Sequence, residues 1–407
     1  MKKRFIPIIL LCPLVQIRNM ANACAFNGVQ TLKDSIELPT LQDTITNCNT
    51  SDKTVKKSGI IQRAYNYFFN ANKRTDRKFD FGLLPGPHYS STVGLGLGVV
   101  ATGLYSLDRA DSTLQKSNIT LYGDVTTKGF LMLGLKGNNI FKKEKYRLDY
   151  RLYTYTFPTH FWGIGFENGN QDDNKSEYRR IKLDAMIRFM MKLCSNFYVG
   201  PTANFQFVQA QNIKGGGLQL FEDQDKTTRT QSIGLSLTYD SRDFILNAQR
   251  GLFFQVDQTF SPRFLANKYC FSSTDVTTST YVRIWRGCIL ATELHGHFNY
   301  GNPAWSMLSD AGSSNRLRGY YEGRYRDKNI MEIQMEFRQH ISGRHGIVLW
   351  GGIGEVFPDF SEIRWNKSLP NAGLGYRWEF KKRINIRVDY GFTRNGGGFI
   401  FNINEAF

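Results

Sequence analysis

No stretch of this 407-residue chain is apolar for long enough to cross a bilayer as a helix, and its mean hydropathy of −0.38 excludes a helical membrane bundle. Cysteine is sparse and unpatterned. The six residues Cys12, Cys24, Cys48, Cys194, Cys270 and Cys288 form no C-x-x-C pair and no zinc spacing. They read as isolated buried thiols, with Cys270 and Cys288 near opposite ends of one strand, too far apart to bridge. Catalytic signatures are missing too. There is no G-x-S-x-G elbow and no H-E-x-x-H. Ser306, Ser309 and Ser313 have no base visible in the sequence. The run Gly94-Leu95-Gly96-Leu97-Gly98 is followed by no helical pattern, so it is strand glycine and no phosphate cradle. Acidic residues number 35 against 52 basic ones, a formal net charge of +17. The basic residues are spread and alternate with apolar ones, which argues against a nucleic-acid footprint and for a polar interior plus attraction to anionic lipid head groups. The chain reads as no enzyme, with no cofactor and no metal. Glu293, His295 and His297 share one strand face that a metal could in principle use, but polar lining is the simpler reading.

What is plentiful is glycine (38) and aromatics (20 Tyr, 31 Phe, 6 Trp), the composition of twisted strands with interfacial aromatic girdles. The N-terminus reads as a signal peptide over residues 1–23. Lys2, Lys3 and Arg4 precede the apolar run Phe5 to Val15, and small residues offer cleavage near 23–25. Residues 26–77 read as a periplasmic tail. Within it Ile60, Ile61, Ala64, Tyr65, Tyr67, Phe68 and Phe69 have the spacing of a short amphipathic helix, which either plugs a lumen or lies on the membrane.

From residue 78 to 407 the hydrophobic period is two. Arg180, Lys182, Asp184, Met186 and Arg188 alternate with Ile181, Leu183, Ala185, Ile187 and Phe189. Glu332, Gln334, Glu336, Arg338 and His340 alternate with Met331, Ile333, Met335, Phe337 and Ile341, and Asn385, Arg387, Asp389 and Gly391 with Ile384, Ile386, Val388, Tyr390 and Phe392. These runs cover about 10 to 16 residues, whereas globular strands cluster near 5 to 6 and tilted bilayer-spanning strands need about 9 to 11. Short turns near 194–196, 342–345 and 381–383 alternate with long polar loops near 164–177, 212–229, 301–328 and 357–368. The expected fold is all-β, an antiparallel transmembrane β-barrel of about sixteen strands with a first strand near Lys78 to Leu84 and both ends periplasmic.

Three stretches add identity to periodicity: Tyr239-Asp240-Ser241-Arg242-Asp243 before Gly251-Leu252-Phe253; Arg316-Leu317-Arg318-Gly319-Tyr320 in the sixth external loop; and the ending Gly398 to Phe407. In this order they resemble the barrel of the BamA/TamA superfamily, the bacterial surface antigen family. The resemblance implies that Arg318, Gly319 and Tyr320 form a loop tip folded into the lumen. It implies Glu336 as acidic partner of Arg318, with Glu332 as substitute. Where the family places a second acid, in an F-x-D-x-G strand, the run Trp350-Gly351-Gly352-Ile353-Gly354 carries Gly352, which implies a single partner. Asp240, Arg242 and Asp243 would stabilise a periplasmic turn. Phe399, Phe401, Ile403 and Phe407 would form the C-terminal assembly signal on the last strand.

The chain resembles a member without POTRA modules, since residues 26–77 are too few for one. Its expected location is integral to the outer membrane of a Gram-negative-type bacterium. The expected function is an accessory role in outer-membrane protein assembly or insertion. The alternative is a passive pore or structural barrel subunit of an outer-membrane complex. Expected partners are outer-membrane lipids including anionic head groups, and assembly machinery or a separate periplasmic protein.

Overall fold

The computed structural model describes residues 79–90, 94–108 and 115–407. The signal peptide, the tail and the helix expected before residue 78 lie outside the described residues. Sixteen strands form one antiparallel sheet in sequence order: β1 (Phe79–Ser90), β2 (Gly94–Tyr105), β3 (Ser117–Thr126), β4 (Leu131–Ile140), β5 (Tyr146–Phe161), β6 (Ser176–Cys194), β7 (Phe197–Gly215), β8 (Thr227–Asp240), β9 (Gly251–Ser261), β10 (Phe271–Trp285), β11 (Cys288–Gly301), β14 (Asn329–Ser342), β15 (His345–Phe357), β16 (Leu369–Lys381), β17 (Ile384–Thr393) and β18 (Gly396–Ile403). The remaining two, β12 (Ser309–Asp310) and β13 (Arg326–Asp327), pair with each other inside the sixth long loop.

The fold is a transmembrane antiparallel barrel, as the period-two pattern implies. Met331, Ile333, Met335, Phe337 and Ile341 of β14 are exposed on the outside, while Glu332, Gln334, Glu336 and Arg338 are buried in the lumen. An open apolar outer face and a buried ionic inner face invert the arrangement of a soluble sandwich and suit a hydrocarbon solvent. At one end of the barrel ten residues, 241–250, join β8 to β9, while four hairpins close with two-residue turns: 195–196, 286–287, 343–344 and 382–383. Asn196, Gly287, Gly343 and Arg383 take positive φ there, the backbone twist that a tight hairpin needs. The long loops emerge at the other end.

Strand lengths depart from expectation at both extremes. β6 and β7 have 19 residues each, and β18 has only 8. The tall wall continues past the lipid zone because its tip has an apolar partner. Phe161, Tyr178, Val208, Ala210 and Phe221 bury Trp305 of the sixth loop beneath a canopy of loops. The short strand lies at the seam. β1 and β18 come together there, but among the described residues no backbone ladder joins them. A salt bridge spans the seam region instead: Lys381 Nζ on β16 lies 2.6 Å from Asp80 Oδ1 on β1.

The cysteine reading needs correction. Cys270 immediately precedes β10 and Cys288 pairs with Trp285 at the other end of that strand, so the two thiols do lie near opposite ends of one strand, but their burial differs from expectation. Cys194 and Cys270 are exposed, because one ends β6 at the 195–196 turn and the other precedes β10; only Cys288 is buried among these three.

Leu349 of β15 is 56% exposed and pairs with Phe337 and Leu374 in the middle of the outer belt. Replacing Leu349 by Arg is expected to lower barrel stability by about 2–4 kcal/mol, the cost of a cation near the bilayer midplane. Urea titration of the protein folded in vesicles measures this, and an unchanged midpoint would mean that the site does not face lipid.

Candidate functional site: a charge ring joining the sixth loop to the last strand

The sixth loop, residues 302–328, enters the lumen as a braced finger. Its β12–β13 ladder is reinforced by Arg326, which clamps Asp310 with Nε at 2.5 Å and Nη2 at 3.1 Å. Further on, the Ser313 hydroxyl accepts from the Arg316 N–H at 2.8 Å, and Leu317 and Gly319 take φ of 44° and 99°. This sharp reversal aims the Arg318 side chain at the β14–β17 wall. Gly319 is required by space as well as by φ: a Cβ there would stand 2.9 Å from Gly391 O and 2.8 Å from Thr393 Cγ2. Tyr320 then donates its hydroxyl to Pro370 O at 2.9 Å.

Arg318, Glu336 and Asp389 are each 0% exposed at the side chain. Arg318 Nη2 lies 2.6 Å from Glu336 Oε1, an ion-pair contact without hydrogen-bond alignment, and Nη1 donates to Asp389 Oδ2 at 2.7 Å. The Trp350 ring sits under the guanidinium, 3.9 Å from Cζ to centroid, so the cation also gains a π face. Asn371 Nδ2 donates to Arg318 O at 3.0 Å and fixes the tip's backbone.

The pairing does not stop at these three groups. Arg338 donates to Glu336 at 2.6 Å and lies 3.8 Å from Glu405; Glu405 accepts from Arg377 at 2.7 Å; Arg377 donates to Asp389 at 2.5 Å. Arg318, Glu336, Arg338, Glu405, Arg377 and Asp389 thus form a closed ring of alternating charge. Arg387 is a fourth cation beside it, 3.8 Å from Asp389, and its Nη2 donates to Ser314 O of the loop at 2.8 Å. Alternation offsets the desolvation that any one of these charges suffers.

Two expectations about the tip's partners are corrected. A second acid exists: it is Asp389 on β17, in the run Val388-Asp389-Tyr390-Gly391, whose D-x-G pattern the sequence reading passed over. Position 352 has no room for one, since a Cβ there would meet Ile333 O at 2.8 Å and Asn371 Oδ1 at 2.9 Å. Glu332 is not a substitute partner. It points at β11, where His295 Nδ1 lies 2.7 Å away, and Arg316 approaches it at 3.8 Å. His297 bonds Ser309 of the loop at 2.8 Å and so braces the finger, whereas His295 ties β11 to β10 and β14 through Asp275 and Glu332. Among the described residues no group of metal-binding side chains is assembled.

The chain's ending also differs from expectation. Phe399, Phe401 and Ile403 lie on β18 as expected, but the strand stops at Ile403. Asn404 takes φ 68° and the chain turns into the lumen. Glu405 is drawn to Arg377 and Arg338, and Phe407 packs over Arg338 (4.9 Å) and Tyr281 (6.3 Å) instead of extending the outer face. At the β8–β9 turn, Asp240 accepts from Arg242 N at 3.2 Å and Nε at 2.9 Å, and from Arg147 at 3.1 Å. Asp243 accepts from the backbone of Gln249 and Arg250, and from Arg383 of the β16–β17 turn at 2.8 Å.

An inward loop finger locked by an Arg-Gly-Tyr tip, five strands before the end of a sixteen-stranded barrel, now has its geometry. A family model described as the Omp85 superfamily domain matches residues 137–407. The chain belongs to the Omp85 superfamily. It is an integral outer-membrane β-barrel of the Gram-negative type. Among solved Omp85-like structures, CdiB from Acinetobacter baumannii superposes with a TM-score of 0.52 at 11% identity, covering 82% of this chain and 60% of that one. CdiB from Escherichia coli gives 0.51 at 10% identity, with 81% and 60% covered. BamA from Haemophilus ducreyi lacking POTRA domains 1–3 gives 0.49 at 10% identity, with 79% and 70% covered. The chain spans 60% of the length of the two CdiB chains. No curated protein matches it.

Removing the tip cation from this Omp85 barrel would leave Glu336 and Asp389 buried beside one vacated site. Arg318→Ala is expected to destabilise by about 3–5 kcal/mol, the cost of breaking one side of a buried pair. Arg318→Lys should recover only part of this, because an ammonium cannot present two parallel donors and a stacked plane. Denaturant midpoints of the three proteins check both statements; equal midpoints for wild type and Arg318→Lys would contradict the second.

Proposed function

We propose that this barrel is an accessory in the assembly or insertion of outer-membrane proteins, with the β1–β18 seam as its working edge. One observation carries the reading: the seam strand is tethered through ionic groups that also hold the sixth loop. Glu405, two residues past β18, belongs to the same ring as Arg318. A strand held by side-chain pairs and by only one full ladder, to β17, has a smaller barrier to opening than one laddered on both edges. Gly396, Gly397 and Gly398 at the head of β18 weaken its pairing further. Named relatives in fold, BamA and CdiB, supply the class of activity only by analogy.

The alternative, a passive pore or a structural barrel subunit, has its own support in a cavity of about 1070 Å³ between the loop finger and the β4–β10 wall. Charged groups such as Arg188, Asp149 and Asp257 line it. The finger and the inturned residues 404–407 project into the lumen beside this cavity and narrow it.

The test uses the full chain with Cys194 and Cys270 changed to Ser, and a cysteine pair joining residues 79–83 of β1 to residues 399–403 of β18. The wild-type protein in vesicles is expected to accelerate insertion of an unfolded outer-membrane barrel, the oxidised protein to lose that acceleration, and reduction to restore it. Undiminished acceleration with the seam locked refutes the seam as working edge. A wild type that gives no acceleration and a steady large conductance in planar bilayers supports the pore instead.

A further inference from the structure

In the loop between β15 and β16, residues 358–368, the part from Phe360 to Arg364 lies against outward-facing residues of the barrel wall. Alternation on β15 puts Ile347 and Leu349 outside and Val348 and Trp350 inside. By the same count Glu355 and Phe357 belong to the outer face, yet they are only 9% and 1% exposed. The loop is what covers them. Arg364 N donates to Glu355 Oε1 at 2.7 Å, and the Phe360 ring sits 5.4 Å from Phe357 and 5.2 Å from Phe298, an outer residue of β11.

The height of this loop follows from register. Glu355 lies opposite Met331, the first residue of the exposed apolar row on β14 that ends at Ile341. Ten steps of roughly 3.3 Å at a tilt of roughly 40° cover about 25 Å, the height of an outer-membrane apolar band. The Met331–Glu355 level is therefore the upper rim of the hydrocarbon zone, and the loop hangs at that rim. Having covered two wall residues, it exposes three large apolar side chains of its own: Phe360, Ile363 and Trp365, the last 79% exposed. Between them stands exposed Arg364, whose guanidinium meets no carboxylate among the described residues, whereas neighbouring Lys367 pairs with Glu167 at 3.2 Å.

We propose that this loop is an interfacial anchor: Phe360, Ile363 and Trp365 enter the outer-leaflet boundary, and Arg364 meets a phosphate of a lipid head group. The occupant is a lipid surface because the patch is continuous with the lipid-facing belt through Phe298 and Phe357. Aromatic rings suit that boundary, where one side is apolar and the other wet, and a guanidinium matches phosphate geometry.

Trp365 emission, obtained as the difference between wild type and Trp365→Phe, reads the loop's surroundings in vesicles of phosphatidylcholine with or without anionic phospholipid. The expected component is blue-shifted, loses most of its intensity to lipids brominated near the head-group end of the acyl chains, and is poorly quenched by aqueous acrylamide. A component with fully hydrated emission, quenched by acrylamide and untouched by brominated lipid, overturns the anchor and leaves the patch for water or a protein partner. Anionic lipid should raise the bromolipid quenching of the wild type but not of Arg364→Gln. Equal bromolipid quenching of the wild type and Arg364→Gln in every vesicle composition overturns the phosphate contact.

Discussion

A guanidinium cut off from water must find its charge balance in the protein, and Arg318 finds it by joining three parts of the barrel. Its acids stand on β14 and β17, its π face comes from β15, and its carbonyl is held from β16. The finger's depth and orientation follow from this one placement. So does the glycine pattern of the wall. A Cβ at Gly391 would stand 2.7 Å from Arg318 O, one at Gly375 would stand 2.1 Å from Asp389 Oδ1, and one at Gly373 would stand 2.3 Å from Trp350 Cζ2. The wall is hollowed where the tip and its partners sit.

Because charges alternate round the ring, no member can move without exposing or stranding a neighbour. This gives residues 404–407 a meaning that strand geometry alone does not. The chain bends inward at Asn404 and delivers Glu405 to Arg377 and Arg338. Arg387 adds a surplus cation that leans on a loop carbonyl, so the loop is held at Ser314 as well as at Arg318. Loop and seam strand therefore share a set of partners, and displacement of one changes the charge balance of the other.

The barrel itself was legible in the sequence because the physical cause is local. Alternation along Met331–Ile341 and Ile384–Phe392 needs only a lipid side and a lumen side. Loop lengths located the sixth loop, and Arg318-Gly319-Tyr320 marked its tip. The ring was half legible. Glu336, Arg338, Arg387 and Asp389 all fall on inward positions of the alternating pattern, but pairing between them depends on how the barrel closes, which no local pattern encodes. The search for the second acid went to Gly352 on β15, while the D-x-G run on β17 held it. Phe407 was misplaced, and Glu405 given no role, for a related reason: a strand pattern predicts its own continuation and cannot anticipate that buried arginines will draw the chain inward.

The position of the ring within the barrel sets what it can act on. The finger's tip leans on β14–β17 and leaves a cavity on the side of β4–β10. The tall wall of β5 to β8 is fixed by the apolar canopy around Trp305 at its upper end and by Asp240 with Arg147 at its lower end. The opposite wall ends in an 8-residue strand laddered to β17 but, among the described residues, not to β1, and Glu405 just beyond it is held by ion pairs. Ionic pairs respond to charge and hydration in a way that packed aromatic rings do not. The ionic ring and the seam thus fall on one side of the barrel, and a change of charge at the ring reaches the end of the last strand through Glu405.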